Sequence, residues 1–425
     1  MSYKNKKSIG IIGLGYVGLP LALEFSKFFS LVGYDKSLKR INELKKKIDS
    51  NNESSLLLKK NKNIIFTNNS EELSKCNVFI VTVPTPVLKN NVPDLSLLID
   101  ACKIISKHIK KGSLIIFEST VYPGCTENIC VPILEKFSKL KLNKDFYCGY
   151  SPERINPGDK KNNFKNIVKI VSGSNLKIRE VIKNLYNKVF KKIYLTKDIK
   201  IAESAKVIEN IQRDLNIALA NELSIIFKKL KIDTREVIEA AGTKWNFMKF
   251  YPGLVGGHCI SVDPYYLTHI ARINNYNPKV ILSGRKINNF MKYELLNRVL
   301  SRVKKLKKIN KKISFLIMGI TYKENVSDLR NSQAVKITEI LLNKNFKVDV
   351  FDPKVSKKNL QFKLKKVKIR KKLTKKKYDV ILILSPHEEI KKLSKKKIIK
   401  MCKKNFIIFD LKGYLNLRIK EYLKL

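Results

Sequence analysis

The sequence predicts an α/β fold in which two Rossmann-like, doubly wound domains are joined by a central helical domain built on one long helix. Three observations carry this. Short apolar runs ending in glycine, Ser8–Gly13 and Ile313–Gly319, each open a stretch where strand-like and helix-like segments alternate, the pattern of parallel sheets covered by helices. Between them Ile199 to Leu230 runs with helical character and no Gly or Pro, long enough to bridge domains or build a dimer seam. Finally, 425 residues with 44% hydrophobic composition supply two or three cores. The expected domains are 1–198, 199–308 and 309–425.

The elements follow in order. Ser8–Gly13 is a strand, Leu19 to Phe29 has helical periodicity, and Ser30–Asp35 is a second strand. Further buried-type strands fall at Val78–Val83, Leu114–Phe117 and Phe146–Tyr150. After the long helix come helices at Thr234–Ala241 and from Pro264 to about Lys304, with a break at Pro278. The last domain reads as strand to Gly319, helix Ala334–Leu342, strand Lys347–Phe351, and strands Val380–Leu384 and Phe406–Asp410. It echoes the first sheet without the full glycine fingerprint. The Lys-rich 354–377 stretch reads as surface loops and short helices.

Composition excludes several classes. The formal net charge of +51 invites a nucleic-acid reading. However, the excess is nearly all lysine, it is dispersed along the chain, and abundant Asn and Ile accompany it, as in the products of A+T-rich genomes. Arginine, which suits bidentate phosphate and base contacts, is scarce. No nucleic-acid partner is expected. The seven cysteines show no CxxC pairs and the four histidines do not cluster, so neither a disulfide framework nor a metal site is indicated. No stretch approaches the ~20 apolar residues of a membrane span, and no cleavable leader is evident. A cytoplasmic protein with no membrane partner is expected.

Gly13-Leu14-Gly15-Tyr16-Val17-Gly18 matches GxGxxG between a strand and a helix, the setting this fingerprint requires. The glycines would make the turn, admit a pyrophosphate and allow helix–strand packing, with the helix N-terminus on the phosphates. Asp35, closing the second strand, would hold the ribose hydroxyls and select NAD, while Arg40 could meet a 2′-phosphate. Thr85 and Thr120 end apolar strands, where they serve as strand-end turn residues or face the nicotinamide half of a dinucleotide.

Two further groups bear on chemistry. Lys206 and Asn210 share one face of the long helix at i,i+4 spacing, forming either a solvated face or donors for developing negative charge. Cys259 follows Gly256-Gly257-His258 and precedes Asp263-Pro264. The glycines would let a ligand approach. Asp263 as N-cap and Pro264 as first helical residue would put Cys259 by a helix N-terminus, which favours a thiolate. Cys259 is either a small buried thiol in a turn or a nucleophile.

The stretches GLGYVGLPLA, ESTVYPG, SPERINPGD, AKVIENIQRDLNIALANE, GLVGGHCISVDPYYL and YKENVSDLRNS resemble the UDP-glucose/GDP-mannose dehydrogenase family over essentially the entire chain. Within it the pattern is most similar to the bacterial UDP-N-acetylhexosamine 6-dehydrogenases, especially the UDP-N-acetylglucosamine branch of Vi-type polysaccharide synthesis. Pro157 stands where the UDP-glucose branch has a second glutamate, and Val262 where it has a lysine.

The resemblance implies oxidation of a sugar C6 alcohol to a uronic acid with two NAD+, through a Cys259 thiohemiacetal and thioester, for surface polysaccharide. It implies that Lys206 and Asn210 stabilise the alkoxide, that Asp263 serves the hydrolytic water, and that Glu153 and Thr120 order the proton network. Glu153, Arg154, Lys206, Asn210, Phe250, Tyr251, Gly256 and Lys323 would contact the UDP-sugar. Gly13, Gly15, Tyr16, Val17, Gly18, Asp35, Arg40, Thr85, Thr120 and Arg330 would hold NAD. The long helix would form the core of a homodimer. UDP-glucose 6-dehydrogenase and a single-step hydroxy-acid dehydrogenase of the 6-phosphogluconate type are the rival readings.

Overall fold

The computed structural model describes residues 8–50, 58–59, 63–154, 166–305, 313–355, 364, 367–370, 373 and 376–425. Contacts divide the chain into two compact units, Met1–Glu209 with Tyr265–Asn277, and Asn210–Pro264 with Pro278–Leu425.

The first unit holds an eight-stranded sheet. Its strands are β1 (Ser8–Ile12), β2 (Ser30–Tyr34), β3 (Ile64–Thr67), β4 (Val78–Val81), β5 (Ser113–Phe117), β6 (Phe146–Tyr150), β7 (Val168–Gly173) and β8 (Lys192–Leu195), in spatial order 3-2-1-4-5-6-7-8. The first six have the doubly wound dinucleotide-binding order. The pairing turns antiparallel between β6 and β7 and parallel again to β8. Strands β4 and β5 are buried along their whole length, as parallel strands covered on both faces must be. Helix α1 (Gly18–Phe25) follows the glycine turn and packs Leu21, Ala22 and Phe25 into the core with Ile9, Ile11, Leu114 and Ile116.

The second unit holds a six-stranded parallel sheet made of β9 (Ser314–Met318), β10 (Lys347–Phe351), β11 (Lys368–Arg370), β12 (Tyr378–Ile383), β13 (Cys402–Asp410) and β14 (Tyr422–Leu423). Their order, 11-10-9-12-13-14, is the 3-2-1-4-5-6 order again. Period-two alternation sorts its side chains. Phe315, Ile317, Val350 and Leu382 pack with Leu295, Val299 and Ile337 from helices on one face. Leu316, Met318, Ile381 and Ile383 pack with Ile390 and Ile398 on the other. The expected echo between the two α/β halves is therefore topological. In the 354–377 stretch, read as loops and short helices, the described residues include strand β11.

The long helix spans Ile199–Leu230, as its composition required, and its first turns belong to the first unit. Pro278 separates the helix Asp263–Ile273 from the helix Lys279–Lys305. The earlier helix starts at Asp263 itself, so Asp263 lies in the first turn rather than outside it as N-cap.

Candidate active site

Where β1 ends, Gly13 turns with φ +94° and its N–H donates to the Tyr34 carbonyl at 2.8 Å. A Cβ on Gly18 would stand 1.9 Å from the Gly13 oxygen, so only glycine lets α1 pack this closely. On Gly15 a Cβ would meet nothing within 4 Å. No side chain caps the start of α1, the end of a helix that suits an anionic ligand, although its Leu19 N–H already donates to the Gly15 carbonyl at 3.3 Å. The Thr82 hydroxyl donates to the Gly13 oxygen at 2.7 Å. Asp35 follows β2; its Oδ2 accepts the Leu14 N–H and its Oδ1 the Ser37 N–H, each at 2.9 Å. These features fit a dinucleotide: a tight turn, an open second glycine, an uncapped helix and a carboxylate beside the turn.

Arg40 departs from its expected place at a 2′-phosphate. Its Nε donates to the Leu14 carbonyl at 2.9 Å and a terminal nitrogen to Asp49 Oδ1 at 2.9 Å. The guanidinium thus braces the glycine turn from behind.

The strand ends of β4 and β5 meet beside this turn. Thr85 Oγ1 donates to the Thr120 carbonyl at 2.6 Å, and Tyr266 Oη donates to the Thr85 carbonyl. The Thr85 hydroxyl proton therefore ties the two loops together. Beneath them Lys169 Nζ lies 2.6 Å from Glu118 Oε2 and donates to the Pro152 carbonyl at 3.0 Å. Both side chains are at most 1% exposed, and Tyr186 donates to the other Glu118 oxygen. Burial pushes the Glu118 carboxyl up, against the nearby Lys169 ammonium. This ion pair staples the ends of β5 and β6, just before Thr120 and Glu153. Glu153 Oε1 accepts the Arg154 N–H at 2.6 Å. The Arg154 guanidinium, expected at the substrate, reaches Glu209 at 2.8 Å and the Val168 carbonyl at 2.9 Å.

The long helix is inverted. Glu203, Lys206, Asn210, Asp214 and Asn221 are all buried, and at about 100° per residue they share one stripe. Lys206 is 9% and Asn210 6% exposed, so neither lies on a solvated face. Ile201, Ile208, Leu219, Ile226 and Leu230 are exposed and lie roughly opposite, about 140–180° round.

In the second unit the cysteine loop is anchored at several points. Gln333 Nε2 donates to the Val255 carbonyl at 3.1 Å, and Asn331 Nδ2 to the Gly257 carbonyl at 3.0 Å. A Cβ on Gly256 would stand 2.8 Å from the Asn331 oxygen, and one on Gly257 2.7 Å from the Tyr322 ring. The glycine pair, read as an opening for a ligand, makes room for the protein's own Asn331 and Tyr322. The Cys259 carbonyl accepts the N–H of Val262 at 3.0 Å and of Asp263 at 2.8 Å, which winds the loop directly into the next helix. Asp263 Oδ2 accepts from Asn210 Nδ2 at 2.6 Å.

None of the seven cysteines is in a disulfide; six are buried and Cys259 alone is partly exposed. Burial pushes the Cys148 and Cys402 thiols well up. His258 Nδ1 lies 3.7 Å from Asp328 Oδ2, which pairs with Arg330 at 2.7 Å. Although burial opposes the charge, the Arg330 guanidinium holds the Asp328 carboxyl below its usual range.

A cleft of about 470 Å³ in the same unit brings together Phe250, Tyr251 and Lys323, three of the residues assigned to the UDP-sugar by resemblance, and adds Arg213, Arg235 and Lys412. The Arg235 guanidinium lies 5.0 Å from the Tyr251 ring centre. Asn221 fixes one wall, because its side chain accepts the Gly253 N–H at 2.8 Å and donates to the Gly253 carbonyl at 3.0 Å. Gly256 does not line this cleft. The three cations were not legible beforehand, since single Arg and Lys residues in a lysine-rich chain carry no signal. Among the described residues no His, Cys, Asp or Glu cluster could hold a metal ion, and no helix is long and apolar enough to cross a membrane.

Residues 7–190 match the NAD binding domain, 200–290 the central domain and 316–417 the UDP binding domain of one family. The chain belongs to the UDP-glucose/GDP-mannose dehydrogenase family. It is 48% identical over 410 residues to the UDP-N-acetyl-D-glucosamine 6-dehydrogenase of Pseudomonas aeruginosa, covering 96% of this chain and 97% of that one. It is 46% identical to the enzyme of that name from Salmonella typhi, over 96% of both chains. The solved UDP-D-ManNAc dehydrogenase of Pyrococcus horikoshii superposes with a TM-score of 0.88 at 30% identity, over 98% of each chain. As a member of this family the protein is an NAD-dependent oxidoreductase with a UDP-sugar substrate.

Proposed function

We propose that this enzyme oxidises the C6 alcohol of UDP-N-acetylglucosamine, or of its C4 epimer, to the uronic acid in two steps. The observation that carries this reading is Cys259, the single non-buried thiol among seven, on a loop that winds into a helix start within the unit that holds the cationic cleft. The names of the two bacterial relatives support an N-acetylhexosamine, as do Val262 and Pro157, the latter lying outside the described residues.

NAD+, when bound, accepts a hydride in each oxidation, and the glycine turn, the start of α1 and Asp35 would hold it. In the first step the C6–OH gives up its proton and C6–H its hydride, leaving an aldehyde. The Cys259 thiolate then adds to that carbonyl and forms a tetrahedral hemithioacetal alkoxide, which can lose a second hydride. The product is a thioester. Water cleaves it, the carboxylate leaves and the thiolate is restored. Lys206 and Asn210 are the donors for negative charge on the C6 oxygen, each worth about 10²–10³ in rate. Asn210 also orients the Asp263 carboxylate, which takes a proton from the hydrolytic water. Thr120 and Glu153 extend this proton network, and Lys323 with the Phe250–Gly253 loop contacts the nucleotide-sugar. Arg330, paired with Asp328, is assigned to the cofactor by the family resemblance; Arg40 and Arg154 act on loop geometry.

We further infer three functional domains, 1–198, 199–308 and 309–425, and a cytoplasmic homodimer that feeds surface polysaccharide synthesis. The exposed apolar stripe Ile201, Ile208, Leu219, Ile226 and Leu230 supports pairing through the long helix, because a lone chain gains nothing by wetting it.

Turnover of a panel of UDP-sugars tests the reading. Two NADH per N-acetylhexosamine are expected, with UDP-glucose poor. One NADH per substrate, or UDP-glucose turned over as well as the acetamido sugars, overturns it.

A further inference from the structure

Glu203 lies three residues before Lys206, so their side chains share a face of the long helix, and Glu203 is fully buried. Its partners belong to the loop that follows Thr120. Oε2 accepts the Gly124 N–H at 2.5 Å and Oε1 the Thr126 N–H at 2.9 Å. These donors stand at the start of the helical stretch formed by Thr126–Cys130 and Val131–Ser138, where N–H groups have no partner within the helix. Gly124 turns with φ +88°, so the loop reverses sharply where the carboxylate grips it. An ionised carboxylate presents a strong acceptor to both N–H groups; an amide aims a donor at one of them, and a protonated acid offers only a weaker acceptor on its hydroxyl oxygen.

We propose that Glu203 is a positioning residue for the oxidation, clamping the Thr120-bearing loop to the turn of the long helix that carries Lys206. This rests on the roles proposed above for Thr120 and Lys206. The two bonds join residues 79 and 77 positions apart.

The clamp is also sensitive to protonation. Burial pushes the Glu203 carboxyl up to about 7, against the bonds from Thr126 and Gly124, and Glu127 pushes it the same way. The other charged or titratable groups facing it are Lys200, whose Nζ lies 4.0 Å from Glu127, and Tyr122, whose phenol burial holds above its usual range beside Cys125. His269, 5.5 Å from the Tyr122 ring centre, lies behind that phenol. Below about pH 7 the acid would gain a proton and weaken its hold on one of the two N–H groups.

The test compares kcat–pH profiles of the full-length wild type, Glu203→Gln and Glu203→Asp, and follows hydrogen exchange of segment 118–126, corrected for intrinsic pH dependence. Wild-type kcat is expected to fall on the acid side of about pH 7. In Glu203→Gln, kcat should be about 10- to 100-fold lower at pH 8, with that acid limb gone and the KM for NAD+ and UDP-sugar little changed. Glu203→Asp should recover part of the loss and keep an acid limb. Exchange should be faster in Glu203→Gln at pH 8 and in the wild type below pH 6. A Glu203→Gln enzyme with wild-type kcat, acid limb and exchange overturns the proposal, as does an exchange rate indifferent to pH in the wild type. The underlying reading fails separately: Lys206→Ala would then keep its turnover, whereas exchange still reports whether Glu203 holds the loop.

Discussion

Asn210 Nδ2 donates to Asp263 Oδ2 at 2.6 Å across 53 residues of sequence. Both side chains are buried, and Asn210 sits four residues beyond Lys206 on the same helix face. The bond aims one carboxylate oxygen at an amide and so fixes where the other one points. Asn210→Ala should lower kcat by about 10²–10³, the scale of one lost oxyanion donor. Asp263→Asn should instead spare the oxidations and block hydrolysis. Rapid-mixing kinetics would then show a burst of two NADH per site followed by little turnover. A variant without a burst, slow from the first turnover, would place Asp263 in the oxidation instead.

Cys259 should react alone. All six others are buried, burial helps push the Cys76, Cys130, Cys148 and Cys402 thiols up, and thiolate is the reactive form. Iodoacetamide on the folded enzyme, read by peptide mass spectrometry, should modify Cys259 well before the other six, and bound UDP-sugar should protect it. Cys259→Ser should stall with a sugar ester on the new hydroxyl, since an ester hydrolyses far more slowly than a thioester. Intact-mass measurement would find the adduct, while full steady-state turnover would return Cys259 to a structural thiol.

NAD+ should be preferred over NADP+ because the Asp35 carboxylate repels a 2′-phosphate. Asp35→Ala should narrow the ratio of kcat/KM for the two cofactors. Arg40 is held by Leu14 and Asp49, so adding Arg40→Ala should weaken binding of both cofactors alike. A loss confined to NADP+ would show that the guanidinium swings out to the phosphate.

Lys169→Met should be costly. It leaves the Glu118 charge buried without its partner, an effect of about 3–5 kcal/mol. Lys169→Met with Glu118→Leu should recover much of that, because removing both charges also removes their desolvation. Urea unfolding of the two singles and the double gives the coupling, and additive losses would mean that the pair does not interact.

Glu203 gives stability a definite slope. Its folded value of about 7 lies above the unfolded value near ~4.3, so the native state binds the extra proton. Its contribution is fully present below about pH 4 and is lost as pH rises through about 7. Unfolding free energy measured between pH 5 and 8 should lose this component in Glu203→Gln. An unchanged slope would mean that Glu203 titrates normally.

What could be read beforehand was what is local in the chain. The glycine turn, the long helix and the buried strands β1, β4, β5 and β9 follow from short-range patterns. Strands β7 and β8 did not stand out. VKIVSG carries a lysine in its second position, which reads as surface until Glu118 is seen beneath it, and KIYL alternates too briefly to register. At the site, the spacing of Lys206 and Asn210 was legible but their burial was not, since burial depends on what packs against the helix. Glu203 with Gly124, and Arg40 with Leu14, are non-local pairs that no spacing encodes.

The two sheets share more than strand order. Gly319 donates to the Phe351 carbonyl at 3.0 Å as Gly13 does to Tyr34, and Asp352 Oδ2 accepts the Ile320 N–H at 2.7 Å as Asp35 accepts that of Leu14. Asp35 keeps an edge in solvent. Asp352 is sealed, with His387 Nε2 at 3.1 Å and the N–H groups of Lys354 and Val355 on its other oxygen. One imidazole thus closes, in the second sheet, the carboxylate that the first leaves open for a ribose. Each polypeptide should accordingly titrate with a single equivalent of dinucleotide, although its architecture offers the outline of two.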